Sequence, residues 1–288
     1  MAERITPLKA IGWSIAFVVL VLLLTGLLAF GLALPVTGSP DAASAWLQDS
    51  GAGPLLVQSV TMLLSTALVT WLIGMRRLRF TLADLRYRVA HRGAGFGLGA
   101  VAGALAAGTG LGVAALVGGA EWYRESGTPG DYVSTVVRTL IVLAPAALAE
   151  EALFRGVPLL ALASAFGRGT AVVLIAVVFA LAHLANPNVT PLAVGNIALA
   201  GIFLGLAFYA PGGIWTAWGA HLGWNGLLAA LDAPVSGVPF SIPFIDYDAG
   251  APGWLTGGAF GPEGGLASTL ALTIAVLVAR RWAGKDQS

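Results

Sequence analysis

Residues 11–34, IGWSIAFVVLVLLLTGLLAFGLAL, run for 24 positions without one charged side chain. A helix of that length rises about 36 Å, enough to cross the ~30 Å hydrocarbon core of a bilayer. Backbone inside lipid must satisfy its own hydrogen bonds, so a lone run of this kind folds as a helix. It is too long for the apolar region of a signal peptide and reads as an uncleaved first helix. Seven further apolar runs follow, at approximately 54–75, 93–119, 133–155, 170–187, 193–210, 212–231 and 265–282. The expected fold is all-α: a polytopic membrane protein of about eight transmembrane helices, with 1–288 as a single integral membrane domain.

Composition agrees. Hydrophobic residues make up 57% of the chain and charged ones 10%, against about a quarter charged in soluble domains. Without cysteine there is no disulfide, no thiol nucleophile and no thiolate metal site. A net charge of +1 offers nothing to nucleic acid.

Basic residues set the orientation. Arg4 and Lys9 precede the first run, and Arg76, Arg77, Arg79, Arg86, Arg88 and Arg92 crowd the loop after the second. Arg168 precedes the fifth, and Arg280, Arg281 and Lys285 follow the eighth. The alternate loops carry Asp41, Asp49, Glu121, Glu125, Asp131, Asp232, Asp246, Asp248 and Glu263, with Arg124 their only well-separated base. Both termini are therefore expected on the cytoplasmic face of the plasma membrane. The arginine-rich rim suits anionic lipid headgroups, although ordinary positive-inside charge explains it equally well.

Glycines recur at four-residue spacing: Gly95, Gly99 and Gly103, then Gly108 and Gly112, Gly201 and Gly205, Gly219 and Gly223. Such spacing lets helices approach closely, and packing within the chain is the simpler expectation than a dimer face. The sequence leaves the oligomeric state open.

Ionisable groups inside the apolar runs need a reason, because a charge at mid-bilayer costs at least ~2.5 kcal/mol. Glu151 and Arg155 stand four apart with the acid first, the favourable order for an ion pair on one helix face. Glu150 is turned about 100° away, so it faces a different neighbour. An unpaired carboxylate in apolar surroundings is a stronger base than an exposed one, which suits activation of water. Pro145, one turn upstream, invites a kink. His183 lies in the fifth run, and His221 and Asn225 share one face of the seventh, where both can donate toward one oxyanion. Each histidine alone reads as a satisfied core residue, and the Glu-Glu-Arg trio alone as a structural staple. Three helices carrying such groups together point to a shared site. Residue chemistry does not separate hydrolysis from ion or proton conduction.

EEALFR (Glu150 to Arg155), FALAH (Phe179 to His183) and HLGWN (His221 to Asn225) together resemble EExxxR, FxxxH and HxxxN, the three motifs of the CAAX-protease and bacteriocin-processing (Abi) family of intramembrane proteases. The resemblance covers about 133–232, the expected catalytic core of the fourth to seventh runs; FGPEGG, Phe260 to Gly265, adds a looser likeness. It implies an eight-helix fold with a site opening toward the cytoplasm. Glu150 would be the general base, His183 its partner on the water, and His221 and Asn225 the oxyanion donors. Glu151 and Arg155 would support them.

The substrate implied is a membrane-associated peptide or lipidated protein, cleaved after a prenylated cysteine in the family's best-known reaction. No cofactor is favoured. One Zn2+ on Glu150, His183 and His221 is the alternative, but HExxH is absent and Asn225 suits an oxyanion better than a zinc site. No GxSx serine faces a histidine, and no aspartate pair lies in the apolar runs. A non-proteolytic scaffold or immunity protein and a proton-coupled transporter are the competing functions.

Overall fold

The computed structural model describes residues 5–49 and 51–283; Arg4 and Lys285, two of the charges used for orientation, lie outside the described residues. All eight expected runs contain a helix: α1 (Pro7–Thr37), α3 (Ala52–Val69), α4 (Arg92–Gly118), α5 (Pro129–Arg155), α7 (Arg168–Ala182), α8 (Pro191–Phe208), α9 (Ile214–Ala230) and α11 (Leu266–Ala283). Among the described residues, six helical stretches are long and apolar enough to cross a membrane. They are α1, α3 with its continuation, α4, Pro129–Phe166, α8 and α11. This is a multi-pass membrane protein. The count of eight outruns helix length at two places, for α7 has 15 residues and α9 has 17. At 1.5 Å per residue each rises only about 22–26 Å, short of a full ~30 Å core.

Among the described residues, three α-helices and two strands go beyond the expected runs. The α2 helix (Pro40–Gln48) starts where the Ser39 hydroxyl accepts from the Ala42 amide, with Pro40 in the first helical position. Arg155 ends α5 because Gly156 takes a non-helical conformation, and Pro158 then opens α6 (Val157–Phe166). The strands β1 (Glu121–Arg124) and β2 (Ile245–Asp248) pair antiparallel, Glu121 opposite Asp248 and Arg124 opposite Ile245. The short α10 (Gly253–Thr256) follows them. Arg76 and Arg77 belong to the last turn of a helix rather than to a loop, since α3 continues as a π-helical stretch, Thr70–Arg77.

The chain divides into two compact units. One comprises the residues up to Arg88 with Val142–Ala171, the other Val89–Ile141 with the residues from Val172 onward. The α5 helix starts in the second and ends in the first, so the expected core 133–232 has residues in both.

In the first unit α1 packs against α3 and α6. The Ser14 hydroxyl donates to the Ala10 carbonyl at 2.8 Å and reaches that of Pro158 at 3.5 Å. Gly74 lets the π-helical stretch lie against Val157, whose Cγ2 would stand 2.6 Å from any Cβ there. Arg76 lies 5.0 Å over the Trp71 ring and Arg77 5.7 Å over that of Trp13, which shelters both cations at the helix end.

In the second unit α4 and α9 approach backbone to backbone. A Cβ on Gly99 or Gly103 would strike the carbonyls of Thr216 or Ala220, and one on Gly219 or Gly223 those of Phe96 or Ala100. Gly201 of α8 meets the Ala176 backbone of α7 in the same way, and Gly205 meets the Val172 side chain. These glycines pack within the chain; Gly112 alone of the expected set meets nothing within 4 Å.

Candidate active site

The α7 helix stops at Ala182, so His183 belongs to the turn after it rather than to a helix reaching 187. Its amide donates to the Ala180 carbonyl at 3.1 Å, a tightened last turn before Pro187 and the left-handed Asn188. His183 Nδ1 donates to the Phe179 carbonyl at 2.7 Å. A carbonyl only accepts, so Nδ1 carries the proton and Nε2 is the basic ring nitrogen. The Phe179 ring, 3% exposed, lies 4.6 Å from the His183 imidazole between centroids and meets His221 edge-on at 6.2 Å. One aromatic side chain orients both histidines.

His221 is buried on α9, and Asn225 stands one turn further along the same helix. The glycine contacts with α4 fix that helix on its other side. His183, His221 and Asn225 line one small cavity, together with Trp224, Ser236 and Glu263; Phe203, Leu204 and Leu272 are among its apolar walls.

Glu263, which the charge pattern places in a loop, lies in a short turn before α11 and is buried, 8% exposed. Its Oε1 accepts from the Trp224 indole at 3.0 Å, and its Oε2 from the Ser236 amide and, at 3.2 Å, the Ser236 hydroxyl. Burial pushes this carboxyl up, against the hydrogen bonds from Ser236 and Trp224. Asn196 of α8 holds the backbone of the turn, donating to the carbonyls of Glu263 at 2.7 Å and Gly265 at 2.9 Å. Thr269 fixes the Asn196 amide in turn, at 2.7 Å. The signal in the sequence was FGPEGG itself. Gly261 has φ 95°, and a Cβ there would press on Pro234, so only glycine leads the chain inward at that point.

Glu150, Glu151 and Arg155 occupy the end of α5 in the first unit. Arg155 Nη1 lies 3.1 Å from Glu151 Oε1, with both side chains fully buried. Glu150 is half-buried. Tyr87, from the arginine-rich loop, comes against the break between α5 and α6, where a Cβ on Gly156 would stand 2.9 Å from its hydroxyl. Burial and the Glu151 carboxylate push the Tyr87 phenol up. Nothing in the sequence singled out Tyr87 as a partner of these groups, whereas Phe179 is the first residue of FALAH.

Among the described residues no three histidine, aspartate or glutamate side chains are gathered closely enough to hold a metal ion.

Residues 132–227 match the family model described as type II CAAX prenyl endopeptidase Rce1-like. No curated protein and no solved structure matches the chain. The matched stretch holds all three motifs in order and nearly coincides with the expected core. Over residues 132–227, about a third of the chain, it is therefore similar to the Rce1-like type II CAAX prenyl endopeptidases.

Proposed function

We propose that the protein is an intramembrane endopeptidase that hydrolyses a peptide bond of a membrane-associated, prenylated CAAX-type substrate. The observation that supports this most is the shared cavity of His183, His221 and Asn225, groups drawn from two of the three motifs. In the reading, the Glu150 carboxylate takes a proton from water as its oxygen attacks the scissile carbonyl carbon. The π electrons move to the carbonyl oxygen, and the His221 and Asn225 N–H groups stabilise that oxyanion. Collapse expels the amine, which takes up the proton; His183, its Nδ1–H held by Phe179, presents Nε2 to the water and the transferring proton. Glu151 and Arg155 hold the end of α5 in place. The reading uses no metal, and it sets the protein in the plasma membrane with cytoplasmic termini.

The test is incubation of the purified protein with prenylated and unprenylated CAAX peptides, with and without a zinc chelator, and mass analysis of the products. Release of a C-terminal tripeptide from the prenylated peptide, unchanged by chelator, is expected. Intact peptides throughout would favour a scaffold or a transporter.

A further inference from the structure

Glu263 lies outside all three motifs and outside the matched stretch, yet its carboxylate lines the same cavity as His183, His221 and Asn225. We infer that Glu263 is a positioning residue of the site: through the Trp224 indole it fixes the part of α9 that carries Asn225, and through Ser236 it fixes the cavity's edge. The inference rests on the endopeptidase reading for its effect on turnover.

Both oxygens of the carboxylate accept hydrogen bonds. Oε1 takes the Trp224 indole, one residue before Asn225, and Oε2 takes both donors of Ser236. Bonds from a neutral donor to a buried carboxylate are charge-assisted, shorter and stronger than neutral pairs. The carboxylate is itself anchored, because Asn196 grips the turn at the carbonyls of Glu263 and Gly265. Asn186 adds a further tie, donating to the Ser236 carbonyl at 2.9 Å, three residues after His183. A single buried anion therefore connects the segment after α7, the segment after α9, the α9 helix and the start of α11. Removing it leaves buried donors without an acceptor on α9 and on the 235–237 turn. An oxyanion donor acts only if it is held to within a fraction of an ångström, so loss of this brace falls on turnover rather than on substrate binding.

The experiment compares wild type with Glu263→Gln, Trp224→Phe and the double variant. Glutamine keeps the volume and an acceptor for the indole, but it sets an N–H against the Ser236 amide. Each single variant is expected to lower kcat about tenfold or more with KM kept within about threefold, and the double variant to be no worse than the poorer single one. The second readout needs no turnover: 15N spectra of the indole of Trp224 and the carboxamide of Asn225 in detergent. In Glu263→Gln both signals are expected to move. If Glu263→Gln fails to fold by thermal melting, Trp224→Phe severs the same bond from the other side, and its Asn225 signal serves. A kcat within about twofold of wild type in these variants, or an Asn225 carboxamide that does not move, overturns the proposal. Moved signals in a protein that cleaves no peptide uphold the brace and count against the endopeptidase reading instead.

Discussion

Arg155 Nη1 sits 3.1 Å from Glu151 Oε1, one turn apart on α5, and neither side chain reaches the surface. A buried pair of this kind is weak as a source of net stability but costly to break from one side, because the remaining charge loses its partner. Arg155→Leu is therefore expected to destabilise the protein by about 3–5 kcal/mol, and Glu151→Leu by a similar amount. The double replacement is expected to recover much of either loss. Thermal melting of the four proteins in detergent checks this, and additive losses would show that the pair is not a unit.

The contact between α4 and α9 tolerates no side chain. Gly103→Ala drives a Cβ into the Ala220 carbonyl and is expected to cost about 1–3 kcal/mol or more. Gly112→Ala on the same helix, with nothing within 4 Å, is expected to stabilise by about 0.5–1 kcal/mol through helix propensity. Opposite signs for two glycines nine residues apart would verify the packing; equal effects would contradict it.

Phe179 holds the Nδ1–H of His183 by its backbone and both imidazoles by its ring. Phe179→Leu keeps the carbonyl and loses the ring contacts. Its kcat is expected to fall about tenfold or more with little change in KM, since small misplacements of catalytic groups carry large penalties. A KM-only effect would mean that the ring contacts substrate instead.

Asp84 caps a turn of the arginine-rich loop, accepting from the Thr81 amide at 2.8 Å and the Thr81 hydroxyl at 2.7 Å. These bonds hold its carboxyl below the usual range. A depressed carboxyl contributes stability above its unfolded pKa and loses it as pH falls through the folded value. Hydrogen exchange at the Leu85 amide, beside a fully buried side chain, is expected to lose protection on acidification once the intrinsic pH effect is removed. In Asp84→Asn that acid dependence should vanish.

The orientation read from the arginines meets a tension in the second unit. Ser236 and Glu263 come from segments that charge asymmetry assigns to the side opposite the arginine-rich loop, whereas the motif resemblance implies a cytoplasmic opening. The chain has no cysteine, so single cysteines at the exposed positions Arg88 and Asp246 report sidedness cleanly. In intact cells a membrane-impermeant maleimide is expected to label Asp246→Cys and not Arg88→Cys; the reverse pattern would invert the topology.

Apolar runs and helical spacing carried much of the fold, because lipid leaves the backbone few options. The Glu151–Arg155 pair was legible for the same reason: a spacing of four on one helix is local. The end of α7 at Ala182 was not, since it depends on how Pro187 and Asn188 turn the chain. Nor was α6, whose apolar residues continue the fourth run across the Gly156 break. The burial of Glu263 was not legible either, because its donors, Trp224 and Ser236, come against it only in the fold. Both lie tens of residues upstream, and no periodicity links them to it.

The decisive measurement is peptide cleavage by wild type and by Glu150→Gln, with the products identified by mass. Wild type should release the C-terminal tripeptide of a prenylated CAAX peptide, and Glu150→Gln, equally folded by thermal melting, should release about a thousandth as much or less. Turnover by Glu150→Gln near the wild-type rate would contradict hydrolysis by glutamate-activated water.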